Sequence, residues 1–150
     1  MVDLPMDRNI HDQQFHDDLT ELQDVMPFFA AGMLRDTQEF LPFATAINSE
    51  GELEAIYLDS EELLSPFEML LKLEEIIQCE LATGRFRACG ICTNVITHPE
   101  NGTARIHAIC LSLMSSKDFS VRYYIPYEMV MDAPILKHGF FRNSDLKSAS

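Results

Sequence analysis

From residue 85 to residue 127 apolar and polar positions alternate with a period near two, and the segments before that stretch read as cover for the sheet it builds. Residues 85–97, 104–114 and 119–127 are rich in Val, Ile, Thr, Tyr and Phe, which favour a pleated, half-buried surface. They predict three consecutive strands. His98-Pro-Glu-Asn-Gly102 supplies the first turn, because Asn101-Gly102 tolerates positive φ and Pro99 fixes one φ. Ser115-Ser-Lys-Asp118 supplies the second.

The expected register sets Val95 opposite Arg105 and Ser112 opposite Val121. Side chains alternate across a strand, so two faces follow. One collects Phe86, Ala88, Gly90, Cys92 and Ile96 with Ile106, Ala108, Cys110 and Met114, and with Phe119, Val121, Tyr123, Ile125 and Tyr127. It carries no charge, and its small residues admit a closely packed helix. The other collects Arg85, Arg87, Cys89, Ile91 and Val95, then Arg105, His107, Ile109, Leu111 and Leu113, then Arg122 and Tyr124.

Upstream, residues 1–16 read as a mobile acidic tail. Residues 17–25 are helical, with acids at the start suiting the helix dipole. Pro27 either opens a second helix over 27–36 or kinks a single one. That segment holds Phe28, Phe29, Ala30, Ala31, Met33 and Leu34, apolar almost all round, which predicts burial in the fold or against a partner. Residues 40–47 and 52–58 form a hairpin about the turn Asn48-Ser-Glu-Gly51. Ser65-Pro66-Phe-Glu68 is a capping box with proline in the first turn, and it opens a helix that ends before Gly84. Beyond Tyr127 the pattern fades. Residues 129–131 extend the strand or begin a loop, 132–136 read as irregular, and His138-Gly-Phe-Phe141 is a small apolar anchor.

The order α-β-β-α-β-β-β predicts an α+β fold: a two-layer domain over 17–141, an antiparallel sheet of about five strands with helices on one face, and a polar tail over 142–150. The longer capped helix is expected on the uncharged face.

Composition narrows the function classes. The chain has 150 residues, 47% of them hydrophobic, and a net charge of −13. Such acidity argues against nucleic acid and anionic membranes as partners. No apolar run approaches the roughly 20 residues that span a bilayer, and the first residues lack the basic start and apolar run of a signal peptide. The expected location is cytoplasmic.

Cys89-Gly-Ile-Cys92 has the spacing of a metal or redox pair. Inside a strand, residues three apart point to opposite faces, so the two sulfurs do not converge and structural thiols are expected. No metal, no cofactor and no catalytic residue is assigned; His107 lacks a visible acidic orienter or nucleophile. The mixed face nevertheless places four of the chain's 11 Lys and Arg on one surface. Its alternatives are a solvated sheet face or a binding site formed by Arg87, Arg105, His107, Arg122 and Tyr124 for an acidic partner, a dimer mate or an anionic ligand, since the arginine fork binds carboxylate or phosphate at two points.

The phrases Phe40-x-Pro42-Phe43-Ala44, Glu50-Gly51-Glu52, Arg87-Ala88-x-Gly90-Ile91, Ala108-Ile109 and Tyr124-x-Pro126-Tyr127 resemble those of a family of uncharacterised small bacterial α+β proteins. The longer apolar helix at 27–36 and the cysteines depart from that pattern. The element order is also similar to Roadblock-type and profilin-like domains and to small acidic type III secretion chaperones, an analogy of fold alone. The expected function is a non-enzymatic interaction protein that holds a protein partner or a second copy of itself, as an immunity-type inhibitor or adaptor. The alternatives are an acidic secretion-type chaperone, and a small anionic-ligand binder or enzyme using the Arg/His face.

Overall fold

The computed structural model describes residues 10–58, 63–97, 105–115 and 120–142. Residues 1–9 of the tail expected over 1–16, residues 143–150 of that expected over 142–150, the turn residues 98–102 and 116–118, and strand residues Ala104 and Phe119 lie outside these. The chain runs α1 (Ile10–Thr37), β1 (Phe43–Asn48), β2 (Leu53–Ile56), α2 (Pro66–Ala82), β3 (Phe86–Thr97), β4 (Ile106–Ser115), β5 (Ser120–Val130), β6 (Ala133–Leu136) and β7 (Phe140–Arg142). This is an α+β fold with an open antiparallel sheet in the order β2-β1-β3-β4-β5-β6, and β7 also pairs with β5.

Helix α1 is one element, already helical at Ile10, seven residues before the expected start. Leu19, Leu22, Met26, Ala30 and Leu34 recur at three- and four-residue spacing and are fully buried, which seats the helix on the sheet. Pro27 sits inside it. It has no N–H, so the Gln23 carbonyl lacks its usual helical donor, yet the apolar stripe on both sides keeps the helix continuous. The helix stops at Gln38, whose φ is +70° and whose N–H donates to the Leu34 carbonyl at 2.9 Å. Helix α2 opens as the sequence predicts. The Glu68 N–H donates to Ser65 Oγ at 3.2 Å, and the Ser65 N–H donates to Glu68 Oε1 at 2.9 Å. These bonds hold the Glu68 carboxyl below its usual range, the backbone N–H of Ser65 most of all.

The helices do not share a face, which corrects the two-layer expectation. Helix α1 packs with Ile47, Ala88, Cys92, Leu111 and Leu113, whereas α2 packs with Ala44, Ala46, Cys89 and Ile91. These are alternate residues of the same strands, so the helices lie on opposite sides of the sheet. From Ala88 onward the uncharged β3 face thus belongs to α1, not to α2, whereas Phe86 packs on the α2 side.

The expected faces also need correction at β4. Val95 pairs with Ala108 and Ser112 with Arg122, offsets of odd number from the expected partners. An odd offset exchanges the two sides of a strand. Ile109, Leu111 and Leu113 therefore join Cys92, Ile125 and Val121 under α1.

Two strands were not expected. Met131 and Asp132 both take positive φ, +52° and +67°, and turn the chain back so that Val130 pairs with Ala133. This two-residue reversal makes β6 from residues that read as irregular. The Phe140-Phe141 anchor forms β7. Phe141 packs on Tyr123 at 4.7 Å on the α1 side, and Phe140 stacks on Tyr124 at 5.6 Å on the other.

Candidate functional site

A β-bulge sets the position of Arg87. Ile47 pairs with Ala88 but Asn48 pairs with Phe86, leaving Arg87 as the extra residue. Strict alternation would send Arg87 towards α2. The bulge turns it to the α1 side, where its Nε and Nη2 donate to Asp18 Oδ2 and Oδ1 at 3.0 and 2.8 Å. Asp18 is almost fully buried, and the pair floors an open hollow of about 390 Å³ lined by Gln13, Gln14 and Asp17 as well. The guanidinium fork is directed at an internal carboxylate, tying α1 to the sheet.

The other expected site residues stand elsewhere. His107 lies on the α1 side of the sheet, level with Ile96 and Tyr127, its ring 5.9 Å from that of Tyr127. Arg87 and His107 are thus separated by the span of β3 from Ala88 to Ile96, about 26 Å of strand. Tyr127 donates to Asn94 Oδ1 at 2.8 Å, and burial pushes its phenol upward against that bond. Arg105 is exposed just ahead of β4. Arg122 and Tyr124 belong to the opposite face. Arg122 is exposed, whereas Tyr124 is buried against Ala108, Cys110 and Phe140. The five residues do not converge on one site.

The cysteines follow the strand geometry. Cys89 is buried under α2 and Cys92 under α1, so the CxxC sulfurs lie on opposite sides of the sheet. Burial, with a smaller push from Glu80, drives the Cys89 thiol up to about 12. Cys92 is also driven well up, first by burial and then by Cys110. Neither is a thiolate near neutral pH, so neither is set up as a nucleophile. Among the described residues no group of three or more His, Cys, Asp or Glu is placed to hold a metal ion. No described helix is long and apolar enough to cross a membrane.

What the sequence reading did not foresee is the exposed apolar surface on both helices. The segment after Pro27 is apolar almost all round, which predicts burial in the fold or against a partner. Pro27, Ala30 and Leu34 are inside, but Phe28 is 72% exposed and meets Phe29 edge-on at 6.5 Å. On α2, Leu73 and Ile77 face the sheet while Phe67 and Leu71, one turn apart, are 67% and 49% exposed. Leu63, ahead of the helix, is fully exposed. A helical-wheel reading could have found Phe28. It falls on the line of Asp17, Glu21 and Asp24, opposite the Leu19–Met26 stripe.

No known protein family, curated protein or solved structure matches this chain.

Proposed function

We propose that this chain is a protein-interaction module whose contact surfaces are the outer faces of its two helices. The observation that supports this reading is the pair Phe28 and Phe67, one on each helix, each standing outward on a face otherwise rich in acids. Single exposed apolar side chains are ordinary, but aromatic rings exposed next to other large apolar residues are the usual anchors of interfaces. Burying one such ring against a partner is worth about 1.5–3 kcal/mol. An immunity-type inhibitor, an adaptor and an acidic secretion-type chaperone would all use surfaces of this kind.

The test is site-specific photo-crosslinking from positions 28 and 67 in cells, with exposed Glu52 as the control position, alongside solution mass by light scattering. A discrete adduct from position 28 or 67, absent from position 52, is the expected result. Its mass separates a foreign partner from a second copy. Adducts from neither position, with a monomer in solution, would overturn the proposal.

A further inference from the structure

We infer that the exposed flank of α2, anchored by Phe67 and Leu71, docks a basic amphipathic helix of a partner protein. This rests on the interaction reading above and names the surface and the chemistry of its occupant. Helix α2 is seated on β1 and β3 through Leu73 and Ile77, and this leaves Phe67 and Leu71 outward on an i, i+4 line. Residues so spaced form the ridge by which one helix packs into the groove of another. Two exposed anchors one turn apart suit pairing with the apolar i, i+3, i+4 face of a partner's helix.

Charge selects the occupant. The flank continues into Glu74, with Glu68 and Glu75 beside it, and Lys72 is the one cation of the helix. Glu80 is already engaged by Arg85, which also bonds Glu54 at 3.3 Å. A second copy meeting this surface about a two-fold axis would set Glu68, Glu74 and Glu75 against the same three residues. Within a Debye length of about 8 Å at physiological salt that juxtaposition is repulsive. The chain's net charge of −13 adds to the penalty at longer range. A helix with apolar residues on one face and Lys or Arg flanking them meets both features of the flank at once.

The probe is a synthetic Leu/Lys peptide of about 18 residues, long enough to fold as a helix on contact, with its leucines at i, i+3, i+4 and i+7. The controls are the same composition without the helical stripe and the same pattern with Glu for Lys. Titration calorimetry with the full chain should give binding about tenfold tighter for the striped Lys peptide than for either control. Phe67→Ser should weaken it about tenfold, as loss of an interface anchor does. Glu74→Gln with Glu75→Gln should weaken it several-fold and flatten its salt dependence, and Phe28→Ser should leave it within about twofold. Hydrogen exchange on the unmodified chain should show added protection confined to α2, a readout that needs no variant to fold.

Equal binding of the unstriped peptide, indifference to Phe67→Ser, or no binding of any peptide would overturn the inference. So would a dimer that Phe67→Ser dissolves, which would make a second copy the occupant. If the peptides fail while crosslinks from position 67 capture a foreign protein, the interaction reading stands and the basic-helix inference falls.

Discussion

Arg87 and Asp18, 69 residues apart in the chain, meet in a two-point ion pair that fastens α1 to the sheet. The contact depends on the bulge, which moves Arg87 to the α1 side. Asp18 has 8% of its side chain exposed and Arg87 26%, so neither charge is well solvated once its partner is removed. Asp18→Asn or Arg87→Leu should each cost about 2–3 kcal/mol, mostly from the group left behind. The double variant should cost less than the sum. Urea denaturation of all four proteins measures this coupling, and additive losses would show that the pair does not act as a unit.

The sequence made the local elements legible and left the layering obscure. Helix α2 was readable because Ser65, Pro66, Glu68 and Gly84 are punctuation with local causes. The β1–β2 hairpin was readable because Asn48 and Gly51 build the turn themselves. Asn48 Oδ1 accepts from the Glu50 and Glu52 N–H groups at 2.9 and 3.0 Å, and Gly51 takes φ of +88°. Strand β4 was not readable in its facing. It is apolar on both sides, with Ala108 and Cys110 on one and Ile109, Leu111 and Leu113 on the other, so alternation could not choose between registers.

The expected five-residue site failed to assemble for related reasons. Arg87 was moved by a bulge that nothing in its local composition announces. The β4 offset then carried His107 to the α1 side of the sheet while Tyr124 stayed on the other. A long-range pairing such as Asp18 with Arg87 has no local signature at all.

Gly90 is required where α1 crosses β3. A Cβ there would lie 2.5 Å from Met26 Sδ and 3.3 Å from Leu113 Cδ2. The Met26 side chain is flexible enough to withdraw in part, but it is fully buried and has little room. Gly90→Ala should destabilise by about 1–3 kcal/mol and Gly90→Val by more. Thermal unfolding checks the order, and Met26→Ala combined with Gly90→Ala should recover part of the loss. An unchanged midpoint in Gly90→Ala would mean that the helix does not press on the strand here.

The buried thiols give the fold a weakness at high pH. Cys89 keeps its proton to about pH 12 when folded, whereas an unfolded thiol loses it near about 8.5. Between those values the unfolded chain binds fewer protons than the folded one, so stability falls as pH rises. The slope is about 1.4 kcal/mol per pH unit for each such thiol, and Cys92 adds to it in the same direction. Unfolding free energies measured from about pH 8 to 11 should decline, and Cys89→Ala should flatten the decline relative to its own value at pH 8. Exposed Cys79 should be alkylated at once in the native protein, with Cys89 and Cys92 following only on unfolding.

The turn between β5 and β6 is stabilisable because its residues are ill suited to it. Met131 and Asp132 both occupy left-handed backbone, which costs an ordinary side chain about 1 kcal/mol, more for Met than for Asp. Two-residue hairpins of this twist prefer Asn-Gly. Met131 is 94% exposed, so replacing it removes almost no packing. Met131→Asn with Asp132→Gly should therefore stabilise the chain by about 0.5–1.5 kcal/mol, raising the thermal midpoint by a few degrees. The gain should appear as slower exchange of the Ala133 and Ile135 amides, which stand opposite Val130 and Glu128, as well as in the global midpoint. A loss of stability would mean that Met131 or Asp132 makes a contact at the turn worth more than the backbone strain.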